Sequence, residues 1–359
     1  MTTALLVVAG GPFVLSLLGC ALLIRFASHL GLVDKPDPTR KIHTRTIPLG
    51  GGLAFTLPLF LLAWLVAPLA QGLLGELPYP GPADPRWFVG LVLVLLGLYD
   101  DLRPLPWPLR LGAHLAAAGA AVFYCLPPLD MPSRLLAALW IAAMINAFNM
   151  LDNMDALSGG VAFTALLYLA VIFLFLSPER PLELAPCLTL LAGLAGFLWY
   201  NRPPARLFMG DAGSTFLGFF VGLTSVQAAV QQGGPSAPWL LPPCLCAAAC
   251  YDMLTVVALR LYQGRSPFNA DKQHLSHRLV QLGLSRPAAV FVIVLMGHAG
   301  GLCAAAVYAA PPLLAWLAAA QLGCWCLLLV ALELGAKRPN TSEGRPLTAD
   351  EKGERHVTP

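Results

Sequence analysis

Eleven long apolar runs set the limits on what this chain can fold into. They lie near residues 4–25, 50–70, 86–99, 110–126, 133–149, 160–176, 183–199, 213–230, 238–261, 288–309 and 312–334. A helix needs about 20 apolar residues to cross the hydrocarbon of a bilayer. Inside hydrocarbon every backbone N–H and C=O must find a partner within the protein, so uninterrupted runs mean helices rather than barrel strands. Composition agrees: 57% of residues are apolar and 11% charged, against roughly 25% charged in soluble domains. The fold class expected is all-α, a polytopic integral membrane bundle of about eleven transmembrane helices. Several runs are short, which leaves room for one pair to be re-entrant.

The placement of Lys and Arg orients the bundle. With the N-terminus outside, 19 of the 22 basic residues fall in inner segments, and only Arg86, Arg134 and Arg180 fall outside. The active face and the C-terminus are then cytoplasmic, in the inner cell membrane. A basic inner face suits anionic headgroups or phosphorylated substrates, although for Arg25 and Lys337 the topology signal is explanation enough.

Outer connections are short and rich in Pro and Gly, whereas inner ones are longer and polar. No internal repeat is visible, which counts against a transporter built from inverted repeats. The nine cysteines sit mostly within apolar runs and show no metal-ligand spacing, so they read as packing residues. Residues 1–336 form one transmembrane domain with cytoplasmic loops. Residues 337–359 read as a disordered cytoplasmic tail, being charged and poor in apolar side chains.

Chemistry gathers at the inner boundaries. Asp100 and Asp101 stand side by side where the third run ends, and adjacent carboxylates there need compensation. A hard divalent cation such as Mg²⁺ supplies it, and a solvated helix end is the plain alternative. Asn146, Asn149, Asp152 and Asp155 recur every three residues, which on a helix stacks four polar groups on one face. Such a row lines a site or forms a packing network between helices. Phe208-Met209-Gly210-Asp211-Ala212-Gly213-Ser214 precedes the eighth run. There Asp211 and Ser214 can cap a helix whose start attracts phosphate.

The last inner loop carries Arg260, Arg265, Asp271, Lys272, His274, His277 and Arg278, suited to clamping an anion or, more weakly, to holding zinc. Asp252 lies deep enough that it needs a partner from another helix. The first inner loop holds Arg40, Lys41 and His43 and ends in Pro48-Leu49-Gly50-Gly51-Gly52; its basic residues can bind phosphate. Carboxylates for Mg²⁺, cations for phosphates and an adjoining membrane are the parts needed for phosphoryl transfer from an activated nucleotide donor to a lipid acceptor.

The ordered segments DKPDPTRKIH with GGG, GLYDD, NAFNMLDNMD, FMGDAGS and SPFNADKQHLSHRL resemble the polyprenyl-phosphate N-acetylhexosamine-1-phosphate transferases, a family that includes the phospho-MurNAc-pentapeptide translocases. The resemblance runs from about residue 34 to 279. It implies that Asp100 and Asp101 act near Mg²⁺ and the lipid phosphate, with Asp100, Asp101 and Asp211 catalytic and Asp211 and Asp101 on the metal. It further implies that Phe208 lies beside the uracil and that Asp152 and Asp155 line the nucleotide pocket. His274 and His277, with Arg260, would hold the donor diphosphate, and Lys41, His43, Asn149 and Arg278 are further substrate-binding candidates.

Three departures stand out. The family's Asp-Gly-x-Asp-Gly reads Asp152-Asn153-Met154-Asp155-Ala156, Ser276 replaces a central histidine, and Arg110 replaces a lysine. HLSHRL looks more like the branch using simple UDP-N-acetylhexosamines. The implied reaction is transfer of GlcNAc-1-phosphate from a UDP-sugar to polyprenyl phosphate with release of UMP, using Mg²⁺ with Mn²⁺ as a possible substitute. The first alternative is the same chemistry with UDP-MurNAc-pentapeptide, and the second a transporter or lipid-binding protein. No nucleic acid partner is expected, and a homodimer is allowed.

Overall fold

The computed structural model describes residues 2–34, 46–69, 78–177, 181–230, 237–267 and 273–335. Each of the eleven apolar runs falls on a helix or a helix pair. In chain order these are α1 (Thr3–Phe26), α2 (Gly51–Leu69), α3 (Pro85–Leu102), α4 (Trp107–Cys125), α5 (Met131–Leu151) and α6 (Leu157–Leu176). They continue with α7 (Pro181–Asn201), α8 (Asp211–Val230), α9 (Pro238–Leu245) with α10 (Ala247–Tyr262), α12 (Arg286–Ala309) and α13 (Pro312–Gly335). A short helix, α11 (Leu275–Gln281), lies between α10 and α12.

Among the described residues, eight helices are long and apolar enough to cross a membrane, and the α9–α10 pair makes a ninth candidate bent by 77°. The broken span lies at the ninth run, where a short α9 meets α10 at Cys246. α3 and α4 complete the eleven runs; α3 ends in the Asp100-Asp101 pair. The chain is thus an all-α, multi-span bundle.

α8 is its axis. Nearly every residue of α8 is buried, against almost none along α13. α8 packs against α5 and α3 most extensively. Two of its buried polar side chains bond across helices: Trp140 Nε1 donates to Ser225 Oγ at 3.1 Å and Gln227 Nε2 to the Cys125 carbonyl at 3.2 Å. Close approach of α3 to the start of α8 depends on Gly97, where an added Cβ would lie 2.5 Å from Ala212 N.

The only sheet among the described residues is an antiparallel pair, β1 (Val33–Asp34) with β2 (Ile47–Pro48). It pairs the described segments on either side of residues 35–45. The segment after β2 is then stitched to the segment before α8: Phe208 N donates to the Pro48 carbonyl, Gly51 N to Phe208 and Gly52 N to Met209, each at 2.9 Å. The glycine run and the FMGD run, far apart in sequence, therefore form one backbone-bonded layer. Lys41, His43 and Lys272 and the 337–359 tail lie outside the described residues.

Candidate active site

The ends of α3, α5 and α10 and the start of α8 meet on one face of the bundle, and each brings a polar group. Asp101 caps α8 from a different helix. Its Oδ1 accepts Asp211 N at 2.8 Å and its Oδ2 accepts Ala212 N at 3.3 Å. A carboxylate at a helix N-terminus satisfies orphan donors and complements the dipole. Gly210, at φ +78, makes the approach possible, since a Cβ there would lie 2.5 Å from Asp101 Oδ2. Asp101 thereby fixes where Asp211 stands.

Asp100 and Asp211 share a cation. Asp100 is 7% exposed. Its Oδ1 accepts Leu105 N at 2.6 Å and its Oδ2 accepts Arg110 Nη1 at 3.0 Å. The same Nη1 lies 3.6 Å from Asp211 Oδ2. Asn149 Nδ2 donates to Asp211 Oδ1 at 2.7 Å and reaches Ser214 Oγ at 3.2 Å. Asp100, Arg110, His114, Asn149, Asp211 and Thr215 line one small pocket. The charged ends of α3, α4 and α8 are thus held by one another.

The four-residue polar row is not continuous on a helix. α5 ends at Leu151, so Asn146 and Asn149 share its face, whereas Asp152 is its C-cap with φ −78 and ψ 53. Asn153 ends the helix by donating Nδ2 to the Met150 carbonyl at 2.9 Å. Asp155 Oδ2 accepts Ala205 N at 2.9 Å, tying this turn to the segment before α8. Ala156 takes the left-handed φ of +61 and its N–H donates to Asn201 Oδ1 at 2.8 Å. Asn201 Nδ2 in turn donates to the Leu207 carbonyl at 2.9 Å. The Asp152 backbone N–H donates to the Asn149 carbonyl at 3.4 Å. Burial, with Asp101 and Asp155 nearby, pushes its carboxyl up to about 7.

A second cluster adjoins this turn. Asp252, 1% exposed, accepts His274 Nδ1 at 2.8 Å and Leu275 N at 2.6 Å. The deep acid therefore has its partner, and it orients His274. The His274 and His277 rings stand 6.2 Å apart at 71°. Among the described residues no three His, Cys, Asp or Glu converge as a metal set. Arg278 is held by Glu333 of α13, with Nε to Oε2 at 3.0 Å, and also bonds Thr255 Oγ1 at 2.8 Å and the Gln273 carbonyl. Arg260, 4% exposed, donates to the Pro267 carbonyl. Both arginines thus brace the loop. Ser276 Oγ donates to Asn153 Oδ1 at 2.6 Å and joins the two clusters.

Sequence reasoning passed over His114 and Asn201. His114 carried one legible signal: it stands four residues after Arg110, on the same helical face.

Residues 86–229 match the family model described as glycosyl transferase family 4. Over 288 residues the chain is 31% identical to the Bacillus subtilis protein named probable undecaprenyl-phosphate N-acetylglucosaminyl 1-phosphate transferase, covering 76% of each chain. It is 30% identical over 303 residues to the Mycolicibacterium smegmatis decaprenyl-phosphate N-acetylglucosaminephosphotransferase, covering 75% of this chain and 73% of that one. Its identity is 29% over 299 residues to the Escherichia coli K12 undecaprenyl-phosphate alpha-N-acetylglucosaminyl 1-phosphate transferase, covering 76% and 75%. With these relatives, and with the charged pocket falling inside the matched region, the chain belongs to glycosyl transferase family 4, among the polyprenyl-phosphate N-acetylhexosamine-1-phosphate transferases.

Proposed function

We propose that this protein transfers GlcNAc-1-phosphate from UDP-N-acetylglucosamine to a polyprenyl phosphate in the membrane and releases UMP, the first lipid-linked step in making an envelope polysaccharide. The observation that carries the proposal is the Asp100–Arg110–Asp211 arrangement at the capped start of α8. It places two carboxylates and a cation where an amphiphilic acceptor can meet a diphosphate.

The donor set fits Mg²⁺. Asp100 and Asp211 already hold one cationic nitrogen between them, and Mg²⁺ takes one or two carboxylates together with substrate phosphates. Asp211 and Asp100 would hold the ion, which when bound would neutralise the donor diphosphate. Asp101 keeps Asp211 in register through the backbone of α8. Arg110 offers a charge-assisted contact to phosphate oxygens. Asp152, whose carboxyl is raised by burial, is assigned to the nucleotide with Phe208, and His274, oriented by Asp252, to the donor diphosphate.

The same proposal includes eleven spans, an outer N-terminus and a cytoplasmic active face. The 19-to-3 division of basic residues supports it, as does the gathering of site residues from α3, α5, α8 and α10 at one end. A C-terminal reporter fusion should be active only in the cytoplasm.

The deciding experiment is UMP release by the purified full chain. Turnover should require UDP-N-acetylglucosamine, undecaprenyl phosphate and Mg²⁺ together, and a donor panel including UDP-MurNAc-pentapeptide should favour the simple aminosugar. Absence of UMP with every UDP-aminosugar overturns the proposal.

A further inference from the structure

α1 and α7 meet at Gly196, where an added Cβ would lie 2.8 Å from the Phe13 carbonyl oxygen. Beside this contact lies a groove of about 400 Å³, lined by Phe13, Leu17, Leu18, Ala21, Trp199 and Tyr200. Phe13, Leu18 and Trp199 are exposed along it, so it opens on the outside of the bundle, toward hydrocarbon. From Phe13 to Ala21 it runs about 12 Å along α1 at the rise of a helix. That is close to the depth of one leaflet's hydrocarbon, half of about 30 Å.

The walls are apolar, but the end toward the active face is cationic. Trp199 and Tyr200 stand at the end of α7, and aromatics with one polar edge suit the boundary between membrane and water. The turn that follows carries Arg202 and Arg206. The Arg202 guanidinium lies 4.0 Å from the Trp199 ring centre, and that of Arg206 lies 4.7 Å from the Tyr200 ring centre. On the facing wall Arg25 stands four residues past Ala21, on the same helical face. All three arginines are exposed. Among the described residues none of them pairs with a carboxylate. A guanidinium stacked on a ring keeps the N–H donors of its edge for an anion.

We propose that this groove seats an anionic phospholipid of the adjoining leaflet, with an acyl chain along Phe13–Ala21 and its phosphate among Arg202, Arg206 and Arg25. The apolar wall accounts for the chain, and the unpaired arginines account for the negative headgroup. A groove one leaflet deep matches an acyl chain, whereas a polyprenyl chain overruns it. A second copy of this chain packed here about a two-fold axis would bring like charges together. The site lies apart from the Asp100–Arg110–Asp211 pocket, and the proposal does not depend on the transferase reading.

The test places the purified full chain in bilayers of phosphatidylcholine and phosphatidylglycerol, with bromine on the acyl chains of one lipid or the other. Quenching of Trp199 is read as the difference between the wild-type chain and Trp199→Phe. At equal mole fraction, brominated phosphatidylglycerol should quench Trp199 more than brominated phosphatidylcholine. Each arginine near an anionic headgroup is worth about fivefold in occupancy. Arg202→Gln combined with Arg206→Gln should therefore remove most of the preference. Ala21→Phe, which fills the groove and leaves the arginines, should remove it too. All three positions are exposed, so unfolding temperatures in detergent should match the wild-type chain and show that both variants fold. Equal quenching by the two lipids, or a preference that survives the double variant, would overturn the proposal. Displacement of brominated phosphatidylglycerol by undecaprenyl phosphate at far lower mole fraction than by unbrominated phosphatidylglycerol would overturn it in favour of the acceptor. Absence of quenching by either lipid, with Leu18→Cys cross-linking between chains, would overturn it in favour of an interface between copies.

Discussion

Ser276 donates its hydroxyl to the Asn153 amide oxygen at 2.6 Å, and these are two of the three places where the chain departs from the pattern it resembles. Asn153 stands where the family pattern has glycine, and Ser276 where it has histidine. The departures are complementary: the short serine leaves room for the asparagine, and the asparagine satisfies the serine. We expect Ser276→His alone to push Asn153 away and lower donor affinity, because no imidazole fits within that contact. Asn153→Gly with Ser276→His should recover much of the loss. A double-mutant cycle on unfolding should give a coupling of about 1 kcal/mol. Additive effects would mean that the contact joins nothing.

Ala156 is the only non-glycine residue with positive φ among those described, at +61. A Cβ in the left-handed region costs roughly 1 kcal/mol, which glycine does not incur. Ala156→Gly should therefore raise stability by up to about 1 kcal/mol, offset in part by the greater freedom of glycine in the unfolded chain. Ala156→Val should lower it by more than that. Thermal unfolding in detergent checks both.

Asp152 should make the ligand-free protein sensitive to pH. Unfolded, its carboxyl ionises near the ordinary 3.8; folded, at about 7. Between those values the folded state binds more protons than the unfolded one. Stability is therefore highest at the acid end, falls as pH rises, and has lost the whole contribution above about pH 7. Asp152→Asn removes that titration. Relative to the variant, the wild-type chain should lose about 2 kcal/mol between pH 5 and 8, once partial solvent access is allowed for. Parallel stability curves for the two proteins would contradict the assignment.

The helices were legible in the sequence because lipid leaves a chain few options: a long apolar run must satisfy its own backbone. The broken span at Cys246 was anticipated only as a short pair somewhere. The acids were legible too, because Asp100, Asp101 and Asp211 stand where charge is costly. Their division of labour was not. Asp101 turned out to cap α8, and Asp155 to hold Ala205 N. Those tasks depend on backbone groups distant in sequence, which residue types and spacing do not encode. The every-third-residue row misled for a related reason: Asn153 ends α5 before the second pair begins. His114 was hidden among alanines, since one histidine in an apolar helix reads as a packing residue until Asn146 and Arg110 are seen beside it.

Arg110 stands between Asp100 and Asp211, 3.0 Å from one and 3.6 Å from the other, and it occupies the ground where a metal ion's charge would act. Removing it should expose two carboxylates to each other without compensation. Arg110→Ala is therefore expected to unfold at a lower temperature than the wild-type chain in the absence of divalent cations. Added Mg²⁺ should then stabilise the variant more than it stabilises the wild type, because the ion no longer competes with a fixed guanidinium. Arg110→Lys keeps the charge but offers a point donor instead of a fork, so it should retain most of the stability and show a Mg²⁺ response close to wild type. Thermal unfolding of the three proteins, with and without Mg²⁺, gives the comparison. A Mg²⁺ shift in Arg110→Ala no larger than in the wild-type chain would place the ion away from Asp100 and Asp211.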